Sequence, residues 1–240
     1  MRRVSVAVCT VVSLYFFALA QFAAAQDNPR PYSDPNRYAE AMQTFAAQDA
    51  EVMPRAGGIV FVGSSSIRRW NSLTEDMAPL TVLNRGFGGS NMRDAVHNIE
   101  AAVLKYRPRA VVLYEGDNDL ARNRATPAMV MEAFSDFSER LYHSLPEVRL
   151  YVISIKPSLS RTAEWPTMQA TNQQLAKACA VMSKCTFIDI ATPTFAADGS
   201  LSEDLFVEDR LHMTAAGYKI WTDTIKPVLM KNELQFEDRE

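Results

Sequence analysis

Three serines in a row, Ser64, Ser65 and Ser66, follow the apolar run "IVFVG" at 59–63. A serine hydroxyl is a weak nucleophile unless a base lies within hydrogen-bond reach, so the cluster has chemical meaning only if a histidine joins it. The chain holds three histidines. His97 falls in the middle of a helical pattern and His143 near the end of another, where a cation suits the helix dipole, and both read as structural. His212 differs: in "EDRLHMTAAGY", Asp209 precedes it by three residues on a loop that enters the last helical stretch. Across a single turn the carboxylate can reach Nδ1 and leave Nε2 free to take a proton from a serine. The competing reading is that both residues merely cap the helix that follows.

Acyl transfer also requires donors fixed where negative charge grows on the carbonyl oxygen. The candidates are the Ser65 amide at the start of its turn, the Gly89 amide in "NRGFGGSN" and the Asn118 side chain in "YEGDND". Singly, "GFGGS" reads equally well as a turn or an anion nest, and "GDND" as a polar turn. No Gly-Lys-Ser/Thr follows a glycine run, which excludes a P-loop. Ile67 stands where the G-x-S-x-G elbow of the α/β-hydrolase fold needs its second glycine, which argues against that fold.

What could position these residues is legible in the apolar runs. Nearly continuous ones at 59–63, 82–86, 110–116, 150–155 and 187–190 predict five short strands. Continuous rather than alternating runs belong to strands buried on both faces, as in a parallel sheet covered by helices. Helical patterns fill the intervals. One spans 35–51 with Tyr38, Met42, Phe45 and Ala46 on one face; "MRDAVHNIEAAVLKY" aligns Val96, Ile99, Val103 and Leu104. A third opens with Thr126 as N-cap and Pro127 at its first position, and two more cover 165–181 and 214–230. The alternation predicts an α/β protein, a three-layer α/β/α sandwich around a five-stranded parallel sheet. Ligands of such sheets bind beyond the carboxyl ends of the strands, where strand order reverses, and the serine, glycine and Asn118 segments each directly follow a strand.

Taken together, four segments resemble the blocks of the SGNH, or GDSL-type, esterase and lipase family. "FVGSSSI" is like its Gly-Asp-Ser block, "NRGFGGSN" its glycine block, "EGDND" its Gly-x-Asn-Asp block and "DRLH" its Asp-x-x-His block, in the same order over 59–228. The resemblance implies a flavodoxin-like sandwich and a serine esterase with no metal or organic cofactor. It also implies Ser65 as nucleophile, His212 as base, Asp209 as its orienter, and Ser65, Gly89 and Asn118 as the oxyanion hole. One departure is Ser64, which stands where the family's first block usually has aspartate.

Composition narrows the partners. At 240 residues, 48% hydrophobic and 22% charged, the chain suits one domain with a sizeable core. Its net charge of −3 becomes more negative still without Arg2 and Arg3, so no basic field exists to attract nucleic acid. "MRR", the apolar run over 4–20 and the small residues Ala23 and Ala25 predict a signal peptide over 1–25, cleaved after Ala25, with an uncleaved N-terminal anchor as the competing reading. The expected product is periplasmic or secreted and detached from the membrane, with an extended lead-in at 26–34 and the hydrolase domain at 35–240. Cys9 leaves with the leader. In an oxidising compartment Cys179 and Cys185 could close a small disulfide loop or remain buried thiols, and both readings stand.

Arg68, Arg69 and Trp70 after the serines, and Lys156, Arg161 and Trp165 after the fourth strand, read either as ordinary pairing and packing or as a rim of cations and aromatic rings. Such a rim would suit a polar alcohol such as a sugar. There is no long insertion to build a lid over lipid. The expected substrate is therefore a short-chain ester, acetyl above all, of a glycan or other small molecule. A lysophospholipase- or thioesterase-type hydrolase, or an acyltransferase, would use the same residues. A non-catalytic binding domain on this fold would be expected to lack Ser65, Asn118 or His212, and all three are present.

Overall fold

The computed structural model describes Tyr32 and residues 34–237, so the expected leader and most of the lead-in lie outside the described residues. The five apolar runs form five parallel strands: β1 Ile59–Gly63, β2 Val82–Gly86, β3 Ala110–Tyr114, β4 Arg149–Ile153 and β5 Cys185–Ile188. Their spatial order is β2-β1-β3-β4-β5. The helices are α1 Ala39–Glu51, α2 Ser65–Arg68, α3 Leu73–Met77, α4 Met92–His97, α5 Ile99–Ala102, α6 Asp117–Ala121, α7 Pro127–Ser144, α8 Trp165–Val181 and α9 Ala215–Glu233.

Alternate residues of the central strands feed two separate cores. Val60, Val62, Val111 and Leu113 pack with Phe45, Met92, Ile99, Phe134, Phe137 and Leu175, so α1, α4, α5, α7 and α8 cover one face. Ile59, Phe61, Val112 and Tyr114 pack with Leu73, Met77, Trp221, Ile225 and Leu229, so α3 and α9 cover the other. Every residue of β1 and β3 is buried. Each such valine, isoleucine or phenylalanine removed from water contributes about 1.5–3 kcal/mol before entropy is counted. This is why β1 and β3 are apolar throughout rather than alternating, whereas β2, outside them at the edge, carries Asn84 and Arg85 after its two apolar residues. Among the described residues no helix is long and apolar enough to cross a membrane.

Local differences from the expected elements have identifiable causes. On α1, Ala46 is exposed and the buried position one turn on is Asp49. That carboxylate receives Arg85 Nη2 at 2.6 Å, Lys105 Nζ at 2.5 Å and Tyr106 OH at 2.8 Å, so its charge is compensated in the interior. The helix expected after the glycine block breaks at Asn98, whose side-chain amide donates to Asp94 O at 2.9 Å. β3 stops at Tyr114, and Glu115 and Gly116 belong to the turn beyond it. β5 begins earlier than its apolar residues, at Cys185, which is disulfide-bonded to Cys179 near the end of α8. The bond settles the choice between bridge and free thiols.

Candidate active site

Glycine lets β1 deliver its serines where it does. A Cβ on Gly63 would stand 2.2 Å from Tyr114 O, so only glycine allows the end of β1 to lie this close to the end of β3. The Ser64 carbonyl then accepts from Ile67 N and Arg68 N, both at 3.1 Å, and Ser65 becomes the first residue of α2. The three serines separate. Ser64 and Ser66 are buried, and Tyr218 OH donates to the Ser66 carbonyl at 2.8 Å. Ser65 is the one that reaches the surface.

Its hydroxyl meets a base. Ser65 Oγ lies 2.7 Å from His212 Nε2, and His212 Nδ1 lies 2.5 Å from Asp209 Oδ2. Asp209 Oδ1 meanwhile accepts the amides of His212 at 2.8 Å and Leu211 at 3.0 Å. Partial burial alone would raise this carboxyl, but the hydrogen bonds from the ring and amides of His212 and from Leu211 outweigh it and hold Asp209 at about 2. An ionised Asp209 favours the tautomer with the proton on Nδ1, in which Nε2 is free to accept from the Ser65 hydroxyl. The capping reading of this pair fails, because Thr214 caps α9 by itself: its Oγ1 accepts from Gly217 N at 3.3 Å. His97 and His143 are exposed on their helices, away from this cluster.

The glycine block approaches from the neighbouring strand. Phe87 N donates to Gly63 O at 2.9 Å, and Gly63 is in register with both Gly86 and Tyr114. Gly89 takes φ +84°, a left-handed conformation that suits glycine. Its carbonyl accepts from Arg37 Nη2 at 3.1 Å, and the same atom of Arg37 meets Asp94 Oδ2 at 2.7 Å. Asn118, near the start of α6, donates through Nδ2 to Ser90 O at 2.8 Å, beside Gly89. Ser65, Gly89 and Asn118 therefore stand at the carboxyl ends of β1, β2 and β3. The order reverses here, since β2 and β3 flank β1 on opposite sides.

Buried carboxyls beneath this rim were not foreseen as parts of the site. Asp119 is fully buried and accepts from Met92 N at 3.1 Å, Gly116 N at 3.0 Å and Tyr32 OH at 3.0 Å, tying two of the loops together. Burial pushes it up to about 6 against those hydrogen bonds. Glu115 Oε1 accepts from Ser90 Oγ at 2.5 Å while Oε2 has no hydrogen-bond partner among the described residues. Burial and the nearby Asp119 raise Glu115 well above the usual carboxylate range, which favours its neutral form. The sequence offered one signal for Asp119, its place in "GDND", and none for the partners of Glu115.

The proposed cation and aromatic rim is only partly a rim. Trp70 is a core residue stacked on Tyr218 at 5.3 Å. Lys156 is fully buried, with Nζ 3.6 Å from Asp117 Oδ2. Arg68 and Arg69 remain exposed, the latter 3.9 Å from Asp209. Trp165 packs on Phe195 at 5.3 Å in an open groove with Gln169, Gln173 and Thr192. Arg161 turns inward to Asp117 and Asn118. Among the described residues no group of His, Cys, Asp and Glu is arranged to hold a metal ion.

Comparison with known proteins supplies the family and the fold. The profile of the GDSL-like Lipase/Acylhydrolase family matches residues 55–220. No curated protein sequence matches. Among solved structures, a GDSL-like lipase from Bacteroides thetaiotaomicron superposes with a TM-score of 0.67 at 19% identity, covering 79% of this chain and 97% of its own. A carbohydrate esterase family 3 protein from Talaromyces cellulolyticus gives 0.58 at 15% identity, covering 73% and 97%. An acetyl-xylooligosaccharide esterase from Geobacillus Stearmophilus gives 0.55 at 18%, covering 74% and 94%. At these identities the likeness is one of fold.

Proposed function

Since the chain belongs to the GDSL-like lipase/acylhydrolase family and is a carboxylic ester hydrolase, we propose that it removes short acyl groups, acetyl above all, from a sugar or other polar alcohol, using Ser65, His212 and Asp209. The observation that carries this reading is the unbroken contact from Asp209 through His212 to Ser65, at 2.5 and 2.7 Å. His212 Nε2 takes the Ser65 proton as Oγ attacks the ester carbon. The carbonyl electron pair moves onto oxygen, which faces the amides of Ser65 and Gly89 and the Asn118 side chain. Collapse of this intermediate expels the alcohol oxygen, which receives the proton from Nε2. Water then repeats the sequence on the acyl-enzyme and releases the acid.

A short acyl group is the expectation from the sequence, which carries no long insertion to build a lid over lipid. A polar alcohol is favoured by Arg68 and Arg69, which stay exposed just after Ser65, with Arg69 3.9 Å from Asp209. Two of the fold relatives are described as acting on carbohydrate esters. The leader read over 1–25 makes the site of action periplasmic or extracellular.

Ser65→Ala should abolish hydrolysis of p-nitrophenyl acetate, and a fluorophosphonate adduct on the wild-type protein should map to the peptide holding Ser65. An unchanged rate in the variant would overturn the proposal. A series from acetyl to palmitoyl esters tests the acyl preference. Product analysis with an added sugar acceptor separates hydrolysis from transfer.

A further inference from the structure

The connection between β4 and α8 brings a cation against Asn118. Arg161 ends the 3-10 turn Leu159–Arg161, and its side chain is only 15% exposed. Nη2 donates to Asn118 Oδ1 at 3.0 Å and Nη1 donates to Asp117 Oδ1 at 2.5 Å. The other oxygen of Asp117 faces Lys156 Nζ at 3.6 Å and accepts from Tyr114 OH at 3.3 Å. From these contacts we infer that Arg161 is a positioning residue for acyl transfer, holding the Asn118 amide with its N–H toward the developing oxyanion and strengthening it as a donor.

The reasoning is one of donor and acceptor inventory. A guanidinium carries N–H donors and no acceptor, so the Asn118 atom that faces it must be the carbonyl oxygen. Nδ2 then lies on the opposite side, where one N–H goes to Ser90 O. The second N–H is left for a ligand. Turning the amide over would set its NH₂ against the guanidinium, its oxygen against the Ser90 carbonyl, and an acceptor where negative charge must grow. The cation excludes that orientation. It also draws electron density from the Asn118 carbonyl, which polarises the N–H in a dry setting where such effects are strong.

Arg161 is itself held. Burial would raise the Asp117 carboxyl, but the Lys156 and Arg161 cations bring it below the usual range, so it stays ionised as the anchor for the fork. A lysine at position 161 could neutralise Asp117 with its single ammonium but could not span Asp117 and Asn118 with a planar pair of donors.

This inference rests on the acyl-transfer reading of Ser65, and the two fail differently. If that reading is wrong, the wild-type protein gives neither ester turnover nor a fluorophosphonate adduct. If only this inference is wrong, both persist. The test is a cycle of wild type, Arg161→Ala, Asn118→Ala and the double variant on p-nitrophenyl acetate. Arg161→Ala should lower kcat by about 10- to 100-fold, the worth of one charge-assisted hydrogen bond, with KM held within about twofold. In the Asn118→Ala background the same change should cost less than about threefold. Added ethylguanidinium should restore turnover to Arg161→Ala and not to the double variant. Equal losses in both backgrounds, or no loss in either, would overturn the inference. Should Arg161→Ala fail to fold, Arg161→Lys serves: a kcat about tenfold below wild type at an unchanged thermal midpoint supports the role, and wild-type kcat removes it.

Discussion

Replacing Asp209 with asparagine isolates the orienting contact, because the two side chains have nearly the same shape. Asp209 offers two oxygens: Oδ1 to the amides of His212 and Leu211, and Oδ2 to His212 Nδ1. Asparagine has one oxygen for these three donors. The two amides are fixed by the backbone, so the oxygen belongs at the Oδ1 position and NH₂ replaces Oδ2. An N–H then faces Nδ1, which moves the imidazole proton to Nε2 and blocks acceptance from Ser65. Recovering the productive tautomer means giving up two neutral hydrogen bonds, about 2 kcal/mol in all. Losing the carboxylate's charge-assisted bond to the imidazolium of the transition state adds about 1.5–3 kcal/mol. The sum, about 3.5–5 kcal/mol, corresponds to a fall in kcat of about 300- to 5,000-fold. Initial rates with p-nitrophenyl acetate, with KM held within about twofold and an unchanged thermal midpoint, would be the expected record. An Asp209→Asn enzyme that keeps more than about a tenth of the wild-type kcat would refute the tautomer argument.

Two further outcomes follow from the buried groups. Asp119 is raised to about 6 in the folded protein against an ordinary value of 3.8, so its share of stability is complete below about pH 4 and lost as the pH climbs through 6. Urea unfolding should show the wild type losing about 2–3 kcal/mol relative to Asp119→Asn between about pH 4 and pH 7.5; a gap independent of pH would contradict the raised carboxyl. The Cys179–Cys185 bond spans a sequence separation of 6 at the amino end of β5, the rim opposite Ser65. Changing both cysteines to serine should cost about 2 kcal/mol through unfolded-chain entropy and leave kcat unchanged, as denaturant titration and ester turnover would record. An equally stable variant would contradict that estimate.

How far the sequence discloses this molecule depends on the range of the interaction. β1 ends where its apolar run ends and β2, whose apolar residues stop at Leu83, ends at the glycine after Asn84 and Arg85, because Gly63 and Gly86 serve both as punctuation and as points of close approach: a Cβ on Gly86 would lie 2.2 Å from Arg68 N. Thr126 and Pro127 likewise open α7 as expected, since a cap is a local device. β5 is misread by two residues because it is an edge strand. Its pairing of Cys185 and Thr186 with Leu150 and Tyr151 needs no apolar side chain. The Ser65, His212 and Asp209 contacts were legible because each residue sits in a short block with characteristic neighbours. The Asp117 to Arg161 pair spans 44 positions, and the Asp49 to Arg85 pair 36, with no local pattern at either end. Lys156, which the sequence left open between packing and a rim, is buried with Asp117 opposite it, a fact carried by no stretch of sequence around either residue.

The segment before α1 is more than a lead-in. Tyr32 reaches Asp119, Arg37 holds the Gly89 carbonyl, and the ring of Tyr38 meets Phe87 edge-on at 4.9 Å. Tyr32, Arg37 and Tyr38 thus act as a buckle fastened over the turn that carries Gly89. Anyone trimming the chain or fusing a handle near these positions would be adjusting the fit of the proposed site, and a drop in turnover after such a change would signal a loosened buckle before it signalled damage at Ser65.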